Sequence, residues 1–197
     1  MEQLFRHLDA TDSAAEPDVE KLELELWRHF GRKGAALVLD MSGTSRAVRE
    51  RGIVPLLLRI RRMQRIGIPL IEAHHGELVK AEADNLFAFF RHVRQAVDAA
   101  IALQQALAHY NRDRTPAWRI DTGIGIAQGR ALVLPGQDLF GDCVNVAAKL
   151  GEDLAQAGEI LVALQAYERI DARESYAGED MKVEVSGLAI EAVRVTW

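Results

Sequence analysis

Short apolar runs without a helical period alternate along this chain with stretches of three- and four-residue spacing. Ala35-Ala36-Leu37-Val38-Leu39 and Leu86-Phe87-Ala88-Phe89-Phe90 are too short and too uniformly apolar for an amphipathic helix and read as buried strands. Glu77-Leu78-Val79-Lys80-Ala81-Glu82 alternates, as a half-buried strand does, and Ala83-Asp84-Asn85 after it reads as a tight hairpin turn. Val19, Leu22, Leu26 and Phe30 trace one helical face, stopped by Gly31 and Gly34. A short helix over 1–8, a small polar linker over 9–17 and Pro17 at a first helical turn precede it.

Farther on, Ser45 can cap a helix to Arg51, Gly52 interrupts it, and Pro55 opens a second helix to Ile66. Leu57, Ile60 and Met63 or Gln64 are expected inward, with Arg59, Arg61, Arg62 and Arg65 on a solvated face. Gly67 and Pro69 break the pattern, leaving 68–73 as a strand or a further helical turn. Residues 91–110 form a clear amphipathic helix. Residues 118–126 alternate as a strand, with 130–134 as its hairpin partner and 135–138 as a loop. A helix starts at Asp142 or Cys143 and runs to about Ala157, where Gly158 ends it. A strand over 159–163, a helical turn over 164–170 and a hairpin of 182–186 with 190–195 complete the chain. The class is α+β: one mixed or antiparallel sheet with helices on its faces. Residues 1–33 are a helical appendage whose apolar stripe packs on its own domain or on a partner, and 34–197 form the main domain.

Composition narrows the function classes. With 197 residues and 49% apolar side chains the chain can build one packed core. A formal net charge of −5 leaves no basic footprint for nucleic acid. The single cysteine, Cys143, excludes an intrachain disulfide and a cysteine-built zinc cluster. No apolar run approaches eighteen residues, and no basic-then-apolar segment opens the chain, so a cytoplasmic protein without membrane insertion is expected. His74-His75 is a poor metal pair, because adjacent side chains on extended backbone point to opposite faces.

Two acids stand out. Asp40 ends one apolar strand and Asp84 sits in the turn before another. If the strands are neighbours, the carboxylates converge on a divalent cation or a pair of them, a device used for attack on phosphorus. Hard oxygen ligands favour Mg²⁺ or Mn²⁺.

Four ordered stretches carry a resemblance: Leu39-Asp40-Met41-Ser42-Gly43, Val79 through Asp84, Gly123-Ile124-Gly125-Ile126-Ala127-Gln128-Gly129, and Asp138 through Leu150. Together they resemble the catalytic domain of class III adenylyl/guanylyl cyclases over about residues 35–195. The resemblance implies a ferredoxin-like cyclase fold with a mostly antiparallel sheet. It implies an adenylate cyclase making 3′,5′-cyclic AMP and pyrophosphate from ATP. Asp40, Asp84 and the Met41 carbonyl would hold two Mg²⁺ or Mn²⁺ ions per site. Lys80 and Asp138 would read the purine, Asn145 would orient the ribose, and Lys149 falls where an arginine usually stabilises the α-phosphate. The metal aspartates would come from one subunit and the other groups from its partner, so the active unit is a homodimer with shared sites.

The chain departs from the family pattern at several places. Ala83 replaces a glycine, Glu82 an apolar residue and Thr44 a phenylalanine. Ala83 is expected to turn the chain at negative φ, and Glu82 is either a third carboxylate near the metals or solvent-facing. Lys149 keeps the charge of arginine but lacks its bidentate fork, a change of about 1–3 kcal/mol at a transition state. The last strand offers Ser186, with Lys182 nearby, where a phosphate-binding lysine is expected. A catalytically weak or inactive nucleotide-binding regulatory domain, and a cyclase with another base preference, therefore stand as alternatives. A regulatory partner at the N-terminal helix is a further expectation.

Overall fold

The computed structural model describes residues 2–9, 18–171, 175–185 and 188–197. Two long antiparallel strands, β1 (Gly31–Met41) and β4 (Thr122–Leu134), form the spine of the sheet, in register from Gly31 opposite Leu132 to Met41 opposite Thr122. β3 (Asn85–Phe90) pairs antiparallel on the other side of β1, and β2 (Glu77–Glu82) closes that edge. Beyond β4 lie β6 (Ile160–Ala163), parallel to it, then β8 (Leu188–Val195) and β7 (Gly178–Val185). A short strand, β5 (Asp138–Phe140), turns back on the end of β4.

The apolar run of β1 is uniform because both faces of the sheet are covered. Ala35, Leu37 and Leu39 point into a cluster with Met63 and Ile71 of α4 (Ile53–Ala73) and Leu103 of α5 (Val93–Asn111). Ala36 and Val38 point the other way, toward Cys143, Val144 and Ala147 of α6 (Asp142–Ala148). Leu37, Leu39 and Phe90 are wholly buried, each contributing about 1.5–3 kcal/mol of apolar transfer.

Several elements differ from the sequence pattern. α4 passes through Gly67 and Pro69 without a break. A side chain at 67 would stand 3.1 Å from Leu86 Cδ1, so glycine is needed for close helix–sheet packing rather than for a stop. The inward frame of α4 is Leu56, Arg59, Met63, Gly67 and Ile71. This turns Leu57 outward, 53% exposed beside Ile53, Val54 and Leu58, and takes Arg59 out of solvent. The stretch 118–134 is no hairpin: β4 runs as one strand from Thr122 because β1 is long enough to pair with it as far as Leu132. Its glycines at 123, 125 and 129 share one face and clear room for α6 and the residues that follow it to Ala155. A Cβ at 125 would lie 2.1 Å from the Ala147 carbonyl oxygen.

α6 does not continue as α-helix to residue 157. It widens at Lys149–Leu154 into a π-helical segment, in which a Cβ at Gly151 would meet the Val38 carbonyl oxygen at 2.6 Å. α3 (Thr44–Arg51) starts directly after Gly43, whose φ of 73° makes the turn. The connection between β2 and β3 turns at Ala83 with φ of 48°, not at the negative φ expected of alanine. α7 (Leu164–Tyr167) is a single turn.

α1 (Glu2–Asp9) and α2 (Val19–Phe30) form the N-terminal helices, and the Asp18 side chain caps α2 by accepting from the Lys21 N–H. Of the linker expected over 9–17, Asp9 is the last residue of α1, and residues 10–17, with Pro17, lie outside the described residues. α2 rests on its own domain: the Arg130 guanidinium stacks 4.2 Å from the Trp27 ring centroid. No α2 residue is fully buried, and Leu24 is exposed. β1 begins at Gly31, immediately after the helix.

Candidate active site

The two acids singled out above share one end of the sheet. Leu39 pairs with Leu86 across β1 and β3, so Asp40 stands one step on, beside Asn85 and the turn that holds Asp84. On its other side Asp40 pairs with Gly123 of β4. The backbone then anchors the corner: Met41 is buried opposite Thr122, and the Ser42 N–H donates to the Asp121 carbonyl at 2.8 Å. Burial pushes the Asp40 carboxyl up to about 7, and the negative charges of Asp84, Glu152 and Asp153 push in the same direction, against a hydrogen bond from the Met41 backbone.

Glu152 and Asp153 arrive from the π-helical segment. The Asn85 amide donates to Glu152 Oε1 at 2.9 Å. Burial raises the Glu152 carboxyl too, with Asp153 and Asp84 adding to the effect. Asn85 Oδ1, next to Asp84 in the chain, is buried with no hydrogen-bond partner. Four acids and one orphaned carbonyl oxygen thus act on one another at this end of the sheet, although among the described residues no three acids, histidines or cysteines stand close enough together to hold a metal ion. Glu152 was not evident from the sequence. Its signal is Gly151-Glu152-Asp153 at the close of the helix, where an α-helical reading sends the carboxylate elsewhere.

A second corner holds the predicted base readers. Lys80 Nζ lies 3.4 Å from Asp138 Oδ2, and Asp138 Oδ1 accepts the Leu139 N–H at 2.9 Å. Lys80 also contacts the Glu82 carboxylate, and its ammonium sits 5.5 Å from the Phe87 ring centroid. The hydrogen bond to Glu82 raises the Lys80 pKa most, burial opposes it, and Asp138 adds to the rise. One chain therefore brings together a donor-only group and an acceptor-only group.

Asn145 and Lys149 lie four residues apart, on one face of the α6 segment. Asn145 is exposed and Lys149 half-buried. Among the described residues neither side chain has a hydrogen-bond partner. Ser186 lies outside the described residues. Lys182, the other candidate for a phosphate contact, is tied at 3.0 Å to Glu191 opposite it on β8. His74 caps α4 through Nδ1 to the Leu70 carbonyl at 2.8 Å.

Among the described residues no helix is long and apolar enough to cross a membrane. No family model matches the chain. It is 34% identical over 142 residues to "Putative adenylate cyclase 3" of Rhizobium meliloti strain 1021; the match takes in 72% of this chain and only 24% of that relative's length. The structure of an adenylate/guanylate cyclase/hydrolase from Silicibacter pomeroyi superposes with a TM-score of 0.72 at 30% identity, covering 84% of this chain and 96% of that one. The guanylyl cyclase Cya2, at 17% identity and TM-score 0.72, shares 84% of this chain and 92% of its own. A bacterial light-regulated adenylyl cyclase, at 21% identity and TM-score 0.70, shares 84% and 90%. With this α+β architecture, four ordered motifs and a relative covered almost end to end, the chain belongs to the class III adenylyl/guanylyl cyclases.

Proposed function

We propose that the chain is an adenylate cyclase that converts ATP to 3′,5′-cyclic AMP and pyrophosphate at the interface of a homodimer. The observation that carries this reading is the Lys80–Asp138 pair, 3.4 Å apart in one chain. Adenine offers an acceptor at N1 and a donor at N6, which match a lysine N–H and a carboxylate. Guanine offers the reverse, and buried groups left unpaired are costly.

In the reaction the ribose 3′-hydroxyl gives up its proton to solvent, its oxygen forms a bond to the α-phosphorus, the bond from that phosphorus to the bridging oxygen breaks, and pyrophosphate leaves. The orphaned Asn85 oxygen among the acids fits a cation there, held by Asp40, Asp84 and the Met41 carbonyl. When bound, two Mg²⁺ or Mn²⁺ ions lower the pKa of the 3′-hydroxyl and offset the triphosphate charge. Asn145 orients the ribose and Lys149 stabilises charge on the α-phosphate. Both belong to the second subunit, in keeping with an exposed Asn145 that has no partner among the described residues. The exposed apolar end of α4 also favours a covering protein surface.

The test incubates purified protein with each of the four nucleoside triphosphates and Mn²⁺ and identifies any cyclic product. Cyclic AMP from ATP, absent in Asp40→Ala and in Asn145→Ala but restored when those two chains are mixed, is the expected result. Nucleotide binding without product in any metal would favour the weak or inactive regulatory domain, a reading to which Lys149 gives weight because it keeps charge without the bidentate fork. Preference for another triphosphate would overturn the roles of Lys80 and Asp138.

A further inference from the structure

We infer that Glu82 is a positioning residue for base selection: with Asp138 it pins the Lys80 ammonium so that one N–H remains for purine N1. The inference rests on the ATP reading above and adds a residue to it. Three features of the β2 edge support it. First, a bulge shifts the register between Leu78, opposite Ala88, and Lys80, opposite Phe87. Bulges of this kind re-aim a side chain beside a functional site. Second, Lys80 and Glu82 are two apart on an extended strand and so share a face, and their charged groups are in contact. Third, Phe87 lies beside the lysine head, opposite Lys80 on β3.

An ammonium has three N–H donors and no acceptor. Asp138 takes one through a long contact of 3.4 Å, and Glu82 takes another. Asp138 by itself would leave a four-carbon stem free to swing, because lysine is a flexible point charge rather than a preset fork. A pinned N–H facing guanine meets the N1–H of that base, donor against donor. A swinging lysine escapes the clash and loses discrimination. Glu82 is 61% exposed and has no other partner among the described residues. A surface pair of this kind adds little to stability, so the contact acts on where the lysine points.

The experiment compares wild type, Glu82→Ala, Glu82→Gln, Lys80→Ala and the Lys80→Ala/Glu82→Ala double variant. ATP and GTP are titrated against a fluorescent ATP analogue, and KM and kcat for cyclic AMP formation are measured with Mn²⁺. Glu82→Ala should raise the KM for ATP about fivefold, change kcat less than KM, and narrow the ATP:GTP binding ratio. Glu82→Gln, which keeps an acceptor, should recover most of the ratio. In the Lys80→Ala background the second substitution should have no further effect, because Glu82 acts through the lysine. An unchanged ratio in Glu82→Ala, or an additive effect in the double variant, would overturn the inference and leave the ATP reading standing. A wild-type chain that binds GTP as well as ATP would overturn both.

Discussion

The two charged corners of this molecule are built on opposite principles. At the end of β1, Asp40 faces Asp84, Glu152 and Asp153, and no cation of the described residues answers them; burial and like charge together lift the Asp40 carboxyl to about 7. At the β2 edge, the Lys80 ammonium is matched by two carboxylates and rests beside an aromatic ring. The first corner carries like charges only, and the divalent cation of the proposed reaction would offset them. The second already gives its one cation two carboxylate partners, and suits a neutral ligand read by hydrogen bonds. A nucleoside triphosphate needs both: a countercharge for its phosphates and a neutral reader for its base.

The sharpest way to break the comparison is to empty the first corner. Asp40→Ala or Asp84→Ala should lower cyclic AMP formation at least about a hundredfold, because the charge stabilisation lost with a metal is several kcal/mol. The same variants should bind the nucleoside adenosine, which carries no phosphate, as the wild type does, since the base corner is intact. Equilibrium binding of adenosine separates the two effects. The converse variants, Lys80→Ala and Asp138→Ala, should collapse the ATP:GTP preference by about a hundredfold while Mn²⁺ affinity, measured by calorimetry, stays put. If Lys80→Ala lost metal instead, the two corners would not be separate devices.

How far each corner was legible in the sequence follows from the range of its contacts. Asp40 and Asp84 stood out by local pattern, at a strand end and in a turn, whereas Lys80 and Asp138 were singled out only by the family resemblance; the fold brings Lys80 to Asp138 and sets Asp84 near enough to act on the Asp40 charge. Glu152 was hidden because its place depends on a π-helical segment, and that segment depends on Gly151 seating against Val38 of a distant strand. The same kind of long-range packing explains the misread glycines: Gly67 read as a break and Gly129 fell in the expected hairpin turn, but both are close-approach points. Arg59 was assigned to solvent because arginines at 59, 61, 62 and 65 look alike, and only the packed helix reveals which one faces inward.

Lys149 is the first residue of the π-helical segment that also carries Glu152. If its ammonium meets the α-phosphate across the dimer, Lys149→Arg should raise kcat about tenfold by restoring a bidentate contact, with the KM for ATP little changed. A variant with unchanged kcat would place the side chain away from the phosphate and remove the link between the two halves of the site.

The smallest expected effect tests the first corner without any turnover. The Asp40 carboxyl ionises at about 7 in the fold, against an ordinary 3.8. Between these values the folded protein holds a proton that the unfolded chain has released. The stability from this group is therefore fully present below the lower value and is lost as pH rises through the upper one. In chelator, the Tm of the wild type should fall between pH 5 and pH 8 more than that of Asp40→Asn, which carries no titrating group there. A divalent cation must displace the same proton, so its stabilisation runs the other way. Mn²⁺ at about a hundred times its Kd adds about 2.7 kcal/mol at pH 8, worth about 5–10 °C in Tm. At pH 6, with Asp40 about nine-tenths protonated, the same Mn²⁺ should give about half of that. A Mn²⁺ shift that is equal at the two pH values, or equal in Asp40→Asn, would mean that the ion binds elsewhere and that the four acids are not the metal corner.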